Sequence, residues 1–376
     1  MSKAPSPIRC VVVTNEPAPY RLPMWEELAT RYNVELHVVY CSGAHIDPSH
    51  DGRSKSYQTH FLAGEYVMRD DGVWHADFGV WRLLSSLKPD VLVTSGFIPT
   101  FLIAFTWAMT HRVPHVAMTD GTFECERVLG WKHRLARRVV FGLSSAFVGA
   151  SEGSRALFRS YGVQPELIHL APLSVDNSRF ARQDVGKVYD LLYCGRYVDH
   201  KHPMFAIDVA AALARKLQRR VTLRMVGKGR LEADLRQRAE ELKQDIDVSF
   251  AGYLSQNDLP AQYLQSRLFL FPTGFDVWGV VANEACAAGL PCIVSPNTGV
   301  IGELVHEGRN GHVCPLDVSI WVDRCAELLS DPARWEAFSQ ASRQAVSTYT
   351  FQAGAEGTWK AIQQATGRKE TVAASA

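Results

Sequence analysis

Short apolar runs alternate with longer segments of helical spacing along most of the chain. Residues 9–14 (Arg-Cys-Val-Val-Val-Thr) form a β-branched run, 22–32 repeat apolar positions at helical intervals, and 34–40 return to a strand pattern. This β-loop-α-β order predicts a parallel sheet. The rhythm continues through a helix over 80–87, a strand over 90–94, an apolar helix after Pro99 and a strand over 115–119. A basic helix from about Trp131 and a strand over 146–150 follow. Residues 1–172 are therefore expected to fold as one doubly wound domain.

Between Pro172 and Lys187 the periodicity lapses into Ser174, Asp176, Asn177, Ser178, Gln183, Asp184 and Gly186, so 173–187 reads as a linker. From 188 the pattern resumes, with strands over 190–194, 222–226, 248–250, 268–271 and 292–295. Helices are predicted over 202–217, 231–242, 280–288 and 320–329. A second domain over 188–350 is expected, then a helix over 351–366 packing back towards the N-terminal domain and a disordered tail over 367–376. Two similar halves predict two Rossmann-like, doubly wound α/β domains facing a central cleft, with ligands beyond the carboxyl ends of the strands. The almost uncharged stretch 91–110 approaches membrane-spanning length, but Thr94, Ser95, Gly96 and Pro99 divide it into a buried strand, a turn and a buried helix.

Composition narrows the options. With 47% hydrophobic residues among 376, the chain suits two domains of ordinary size. Forty Lys and Arg against thirty-nine Asp and Glu leave a formal charge of +1, which supplies no general field for nucleic acid. The eight cysteines are scattered, without Cys-x-x-Cys pairs or histidines at zinc-ligand spacing, as expected of reduced thiols in a cytoplasmic protein. Residues 1–8 read as neither signal peptide nor anchor.

The candidate chemistry lies in loops after strands of the second half. The stretch Cys194-Gly-Arg-Tyr-Val-Asp-His-Lys-His-Pro203 sets Arg196 and Lys201 beside a helix start, where free N–H groups favour an anion. Phe271-Pro-Thr-Gly-Phe-Asp-Val-Trp-Gly-Val-Val-Ala-Asn-Glu284 delivers a strand into a Gly-containing loop and a second helix start. It carries Asp276 in the loop and Glu284 on the helix. The helix ends before a strand at Asp245-Ile-Asp247, which reads as a solvated turn and not as a metal-binding Asp-x-Asp.

These residues resemble the retaining glycosyltransferases of family 4, which have the GT-B fold and carry two glutamates separated by seven residues before a Gly-Leu-Pro-Val-Ile-like strand entry. Asp276, Gly279, Glu284, Ala285, Gly289 and Pro291 match that motif, and Gly195-Arg196, Lys201 and Val226-Gly-Lys-Gly-Arg230 match further. The resemblance runs from Arg9 to about Ala365. It implies that Arg196 and Lys201 bind a donor diphosphate, assisted by Gly227 and by backbone N–H groups of Gly279, Val280 and Val281. It further implies that Glu284 holds the nucleotide ribose, and that Asp276, beside Phe275, contacts the transferred sugar. No cofactor and no metal are implied. The expected donor is a UDP-sugar ahead of a GDP-sugar, and the expected acceptor is a glycan or lipid-linked acceptor.

Two departures from the family pattern concern the sugar. Asp276 replaces the usual glutamate and is one methylene shorter. Where many relatives carry a histidine in the first half, Asp120 stands nearest. The loop Thr14-Asn-Glu-Pro-Ala-Pro-Tyr-Arg-Leu-Pro23 lacks the paired glycines of many relatives. Tyr20, Arg21, Asp120 and Glu124 are the acceptor-side candidates, with Asp120 also a candidate catalytic group. The segment with Arg127, Lys132, His133, Arg134, Arg137 and Arg138 has Trp131, Leu135 and Val139 at intervals of four. It reads either as a helix facing an anionic membrane or as a helix docked on its own sheet with a solvated basic face. The rival functions are an epimerase or phosphorylase of the same fold and a nonenzymatic nucleotide-sugar sensor.

Overall fold

A computed structural model describes residues 6–42, 54–64, 66–69, 72–127, 130–181 and 185–368. Residues 369–376 of the expected tail, 182–184 of the expected linker and 1–5 lie outside the described residues. The chain forms two compact units, Met1–Ser174 with Phe351–Ala376, and Val175–Thr350.

The first unit contains β1 (Ile8–Thr14), α1 (Leu22–Arg31), β2 (Val34–Tyr40), β3 (Gln58–Phe61), β4 (Tyr66–Arg69), β5 (Gly72–His75) and α2 (Gly79–Leu87). It continues with β6 (Val91–Thr94), α3 (Pro99–His111), β7 (His115–Thr119), α4 (Trp131–Leu143), β8 (Ala146–Gly149), α5 (Glu152–Ser160) and β9 (Ile168–Leu170). Seven strands pair in parallel in the order β3-β2-β1-β6-β7-β8-β9, while β4 and β5 form a separate antiparallel hairpin. The order reverses between β1 and β6, so their carboxyl ends diverge into helices on opposite faces and leave a crevice there. One face of the sheet packs Val12, Val38 and Val93 against Trp25 and Leu28, and the other packs Val11, Val13 and Leu92 against Leu84, Phe101 and Trp107. Strands buried on both faces read as continuous apolar runs, which is why β1, β2 and β6 were legible. The stretch 91–110 is β6 followed by α3, and among the described residues no helix is long and apolar enough to cross a membrane.

The second unit contains β10 (Tyr189–Cys194), α6 (Pro203–Leu217), β11 (Val221–Val226), α7 (Glu232–Glu241), β12 (Ile246–Gly252), α8 (Leu259–Leu264) and β13 (Ser266–Phe271). After these come α9 (Val280–Ala287), β14 (Cys292–Val294), β15 (Gly311–Val313), α10 (Val318–Ser330) and α11 (Pro332–Val346). Its six parallel strands run β12-β11-β10-β13-β14-β15, so the reversal falls between β10 and β13. The helix α11 left no periodic signal, because the positions it buries include Ser339 and Ser342, with Ser342 Oγ donating to the Leu290 carbonyl at 3.0 Å. Last in the chain, α12 (Phe351–Thr366) belongs to the first unit, where Ala355, Trp359, Ala361 and Ile362 join the cluster of Leu28 and Val38.

Candidate functional site

The reversal point of the second sheet gathers most of the candidate residues. Tyr193, buried near the end of β10, donates its hydroxyl to the Arg196 carbonyl at 3.1 Å and to the Lys201 carbonyl at 3.2 Å. One side chain thereby folds the whole β10–α6 loop back on itself. The loop after β13 is tied to it. Gly274 N donates to the His200 carbonyl at 2.7 Å and Thr273 Oγ1 donates to the same oxygen at 3.1 Å. Across this junction Lys201 Nζ meets Asp276 Oδ2 at 2.6 Å, with both side chains largely buried. Asp276 Oδ1 accepts from Trp278 N at 3.2 Å, so the carboxylate is fixed at both oxygens. Arg196 stands exposed, and among the described residues its guanidinium has no carboxylate partner. Burial and then the charges of Lys201 and Arg196 hold His200 below the usual imidazole range, opposed by the Asp276 carboxylate.

A third loop closes the floor. Gly227 follows β11 at φ 140°, where side chains other than glycine are strained, and a methyl group there would overlap the Gly195 carbonyl. Its N–H donates to Gly252 O at 2.9 Å, and Tyr197 N donates to Lys228 O at 2.9 Å, which brings Lys228 to the same edge. Arg230 is paired with Asp199. On the other side, α9 begins at Gly279 (φ 104°) without a side-chain cap, so its first N–H groups, those of Val280 and Val281, are left for another acceptor. Phe275 lies partly exposed in the loop before it.

Glu284, one turn into α9, is only 5% exposed. Burial pushes its carboxyl up to about 7, opposed by a hydrogen bond from Tyr263 Oη to Oε2 at 2.6 Å. Tyr263, on α8 and fully buried, has no place in the sequence motif. Its only signal was a tyrosine amid the short apolar segment before β13, which reads equally as core. The Cys194 thiol at the end of β10 is raised by burial and by the Glu284 charge, so the glutamate faces the same strand end that carries Arg196.

In the first unit the structure pairs two of the acceptor-side candidates directly. Arg21, before α1, forms an ion pair with Asp120, after β7, and its other nitrogen lies 3.7 Å from Met24 Sδ. Tyr20 sits on the turn before α1, and Glu124 is exposed on a 3₁₀ turn over Phe123–Arg127. The basic helix corrects an expectation. Arg137 is buried, paired with Glu126, and lies 5.1 Å from the Phe97 ring, whereas Trp131, Leu135 and Val139 face solvent. The side chain of Arg127 and residues 128–129 lie outside what is described. Asp245 pairs with Arg215 at 3.2 Å on an exposed turn. Among the described residues no three His, Cys, Asp or Glu side chains cluster as a metal site requires.

Comparison with known proteins places these features in a family. A sequence profile described as "Glycosyl transferases group 1" matches residues 174–345, and one described as "Glycosyltransferase Family 4" matches residues 26–179. The chain belongs to the family 4, group 1 glycosyltransferases. Among its family relatives is the glycogen synthase of Mycobacterium tuberculosis, 28% identical over 275 residues, which are 70% of this chain and 66% of that one. The mannosylfructose-phosphate synthase of Agrobacterium fabrum is 29% identical over 62% of this chain and 54% of its own length. The match thus spans a little under two thirds of the one relative and about half of the other. The MMP alpha-(1->4)-mannosyltransferase of Mycolicibacterium hassiacum is 23% identical across 94% of this chain and 84% of its own. Among solved structures, HepE of Anabaena in complex with UDP superposes with a TM-score of 0.76 at 15% identity, covering 95% of this chain and all (100%) of that one. The two-unit parallel α/β architecture of this glycosyltransferase-family chain is the GT-B fold.

Proposed function

We propose that this protein transfers a hexose or related sugar from a nucleotide-sugar donor, UDP-linked ahead of GDP-linked, to a glycan or lipid-linked acceptor in cell-surface polysaccharide or glycolipid assembly. The observation that carries the reading is the pairing of Lys201 with Asp276 across the reversal point of the second sheet, flanked by unpaired Arg196 and the uncapped start of α9. The exposed Arg196 guanidinium and the first N–H groups of α9, which have no acceptor among the described residues, fit a diphosphate. Family membership and the fold shared with UDP-bound HepE support the class of ligand.

In this reading Arg196, Lys201, the Gly227 turn and the N–H groups of Val280 and Val281 hold the diphosphate. Glu284 accepts from the ribose hydroxyls, and Asp276, beside Phe275, accepts from hydroxyls of the sugar. The bond between the anomeric carbon and the phosphate oxygen breaks, and its electron pair leaves on the diphosphate, where the cations and amide dipoles stabilise the growing charge. The acceptor hydroxyl attacks from the same face, which retains the anomeric configuration, and its proton passes to a donor phosphate oxygen. The Lys201–Asp276 pair gives the transfer a switchable element, because a bound diphosphate competes with Asp276 for Lys201 and frees the carboxylate for the sugar. Arg196 and Lys201 occupy the charge-neutralising role that a divalent ion fills in other transferases, so turnover is expected to survive EDTA. Arg21, Tyr20, Asp120 and Glu124 line the acceptor side, with Asp120 contacting a hydroxyl near the reacting centre. The expected place of action is the cytoplasm, at the inner face of the membrane.

Thermal denaturation against UDP-, GDP- and ADP-sugars tests the donor, since a ligand at about 100 times its Kd stabilises the folded state by about 2.7 kcal/mol. The donor that shifts the melt is then offered with glycan and lipid-linked acceptors, and the anomeric configuration of the product is read by NMR. A product with inverted configuration, an epimerised donor, or cleavage that requires free phosphate contradicts the proposal.

A further inference from the structure

Tyr263 is fully buried and carries a hydroxyl where a phenylalanine would fill the same space. Its ring is clamped by Phe180, edge-on at 5.6 Å from a 3₁₀ turn over Asn177–Phe180, and by Phe269 of β13 at 5.8 Å. These contacts fix the ring and therefore the place where its hydroxyl ends. That place is Glu284 Oε2, 2.6 Å away, and the Cys194 thiol faces the same hydroxyl. Burial holds the phenol above its usual range, so the hydroxyl keeps its proton and meets the carboxylate as a donor.

Packing does not account for the pair. A buried hydroxyl and a buried carboxylate each cost desolvation, and two apolar side chains of the same shape would be nearly neutral or stabilising in their place. What the pair adds lies at the other oxygen. Among the described residues nothing donates to Glu284 Oε1, and that atom is not sealed from solvent. The charged groups on elements packed against α9 are engaged elsewhere. Arg343 of α11 turns to Ser339 Oγ at 2.9 Å and Glu336 at 3.5 Å, and Arg179 of the 3₁₀ turn donates to Asn257 at 2.6 Å. Arg267 stands exposed near the opposite end of β13, and the Cys292 thiol of β14 meets Cys286 of α9 at 3.8 Å. Among the described residues no cation pairs with Glu284, and the Tyr263 hydroxyl is the one donor to its carboxylate.

We infer that Tyr263 is a positioning residue of the nucleotide site: its hydroxyl fixes Glu284 Oε2 and thereby aims Oε1 at the ribose, which makes Tyr263 a determinant of selection for ribonucleotide over deoxyribonucleotide ligands. Tyr263 itself touches no ligand. The inference rests on the assignment of Glu284 to the ribose hydroxyls. A donor to the carboxylate favours its ionised form, and the Glu284 carboxyl stands at about 7 with that donor in place. Removing the hydroxyl makes the buried carboxylate hold its proton to higher pH. A protonated carboxyl accepts poorly, so selection for ribose should shift to higher pH as well.

The experiment is calorimetric titration of UDP and its 2′,3′-dideoxy analogue, and of GDP and its analogue, into the full chain between pH 6 and pH 9. Wild type, Tyr263→Phe, Glu284→Gln and the double variant are compared. The ratio of affinities, ribonucleotide over dideoxy analogue, isolates the ribose contact, because the phosphates titrate alike in both ligands. In wild type this ratio should rise with pH through about 7. Tyr263→Phe should lower it about tenfold at pH 7, the loss expected of a hydrogen bond to a charged group, and should recover most of it at pH 9. In the Glu284→Gln background the same replacement should change the ratio less than about twofold, since the effect runs through the carboxylate. Phe180→Leu keeps the hydroxyl but loosens the ring that aims it, and should lower the ratio about threefold, the size of one aromatic pair. It supplies a second reading if Tyr263→Phe proves poorly folded in circular dichroism melts. A wild-type ratio near one would overturn the ribose assignment, and the inference with it. A wild-type ratio abolished by Glu284→Gln but untouched by Tyr263→Phe and Phe180→Leu, as a purely structural tyrosine would give, would overturn the inference alone.

Discussion

The carboxyl edges of the two sheets are built on one plan and finished in opposite ways. In the first unit Arg21 and Asp120 form an ion pair at the edge, and hydroxyls bond to each other, as Ser95 Oγ does to Thr14 Oγ1 at 2.8 Å. In the second unit the edge is left positive. Arg196 and Lys228 are exposed, α9 starts without a cap, and the backbone of the β11 loop passes so close to Gly195 that only glycine fits at 227. An edge of paired charge and hydroxyls suits a polyol, and one with exposed cations and an uncapped helix start suits a diphosphate. On the proposed reading, one topology used twice serves two different ligands.

The largest expected effect comes from breaking the glycine approach. Gly227→Ala places a methyl group into the Gly195 carbonyl at a strained φ, and should cost about 3 kcal/mol or more of stability together with nucleotide binding. Gly130→Ala, at the start of α4 in open space, should shift the melting midpoint by a degree or two at most. Comparable melts for the two variants would remove the crowding argument.

Next in size is the buried carboxyl. Glu284 titrates near 4.5 when unfolded and about 7 when folded, so between those values the native chain binds the extra proton. Stability contributed by this group is therefore greatest at low pH and is lost as pH rises through about 7, with a span of roughly 3 kcal/mol. Glu284→Gln should be flatter across pH 5 to 8 in urea titrations, and more stable than wild type at pH 8. The opposite order at pH 8 would mean that the carboxylate is better satisfied than Tyr263 alone allows. Ribose hydroxyls donate to the ionised form, so wild-type affinity for a nucleoside diphosphate, relative to Glu284→Gln, should rise over the same range.

Smaller again is the loss of single charges. Arg196→Ala or Lys201→Ala should each weaken nucleoside diphosphate binding by about 1.5 to 3 kcal/mol, while Arg21→Ala should leave it unchanged and act on acceptor KM. Equal losses from Arg21 and Arg196 would erase the distinction between the two edges.

Much of this was legible in the sequence for identifiable reasons. Parallel strands buried on both faces leave apolar runs, so β1, β2, β6, β10 and β13 announced themselves, whereas β3, with Gln58, Thr59 and His60, carried no such run. The motif around Asp276 and Glu284 was visible because its spacing ties two side chains to a single strand-loop-helix unit. Tyr263 was not, since its partnership with Glu284 joins residues from different elements. The inward turn of Arg137 was equally hidden: composition shows a basic helix, but only packing decides which of its apolar rows meets the sheet. The Lys201–Asp276 pair, 75 residues apart, depends on β10 and β13 being neighbours, which follows from topology and not from local pattern.

That pair also bears on the central claim, the division of labour between the two carboxylates. Isothermal titration of the free nucleoside diphosphate into wild type, Glu284→Ala and Asp276→Ala, in buffer containing EDTA, tests it directly. The account predicts that Glu284→Ala loses about 10- to 150-fold in affinity, corresponding to roughly 1.5 to 3 kcal/mol for a charge-assisted hydrogen bond. Asp276→Ala should hold or gain affinity, because it releases Lys201 to the phosphates, yet it should lose sugar transfer. If Asp276→Ala lost nucleotide affinity as severely as Glu284→Ala, the assignment of one carboxylate to the ribose and the other to the sugar would be contradicted.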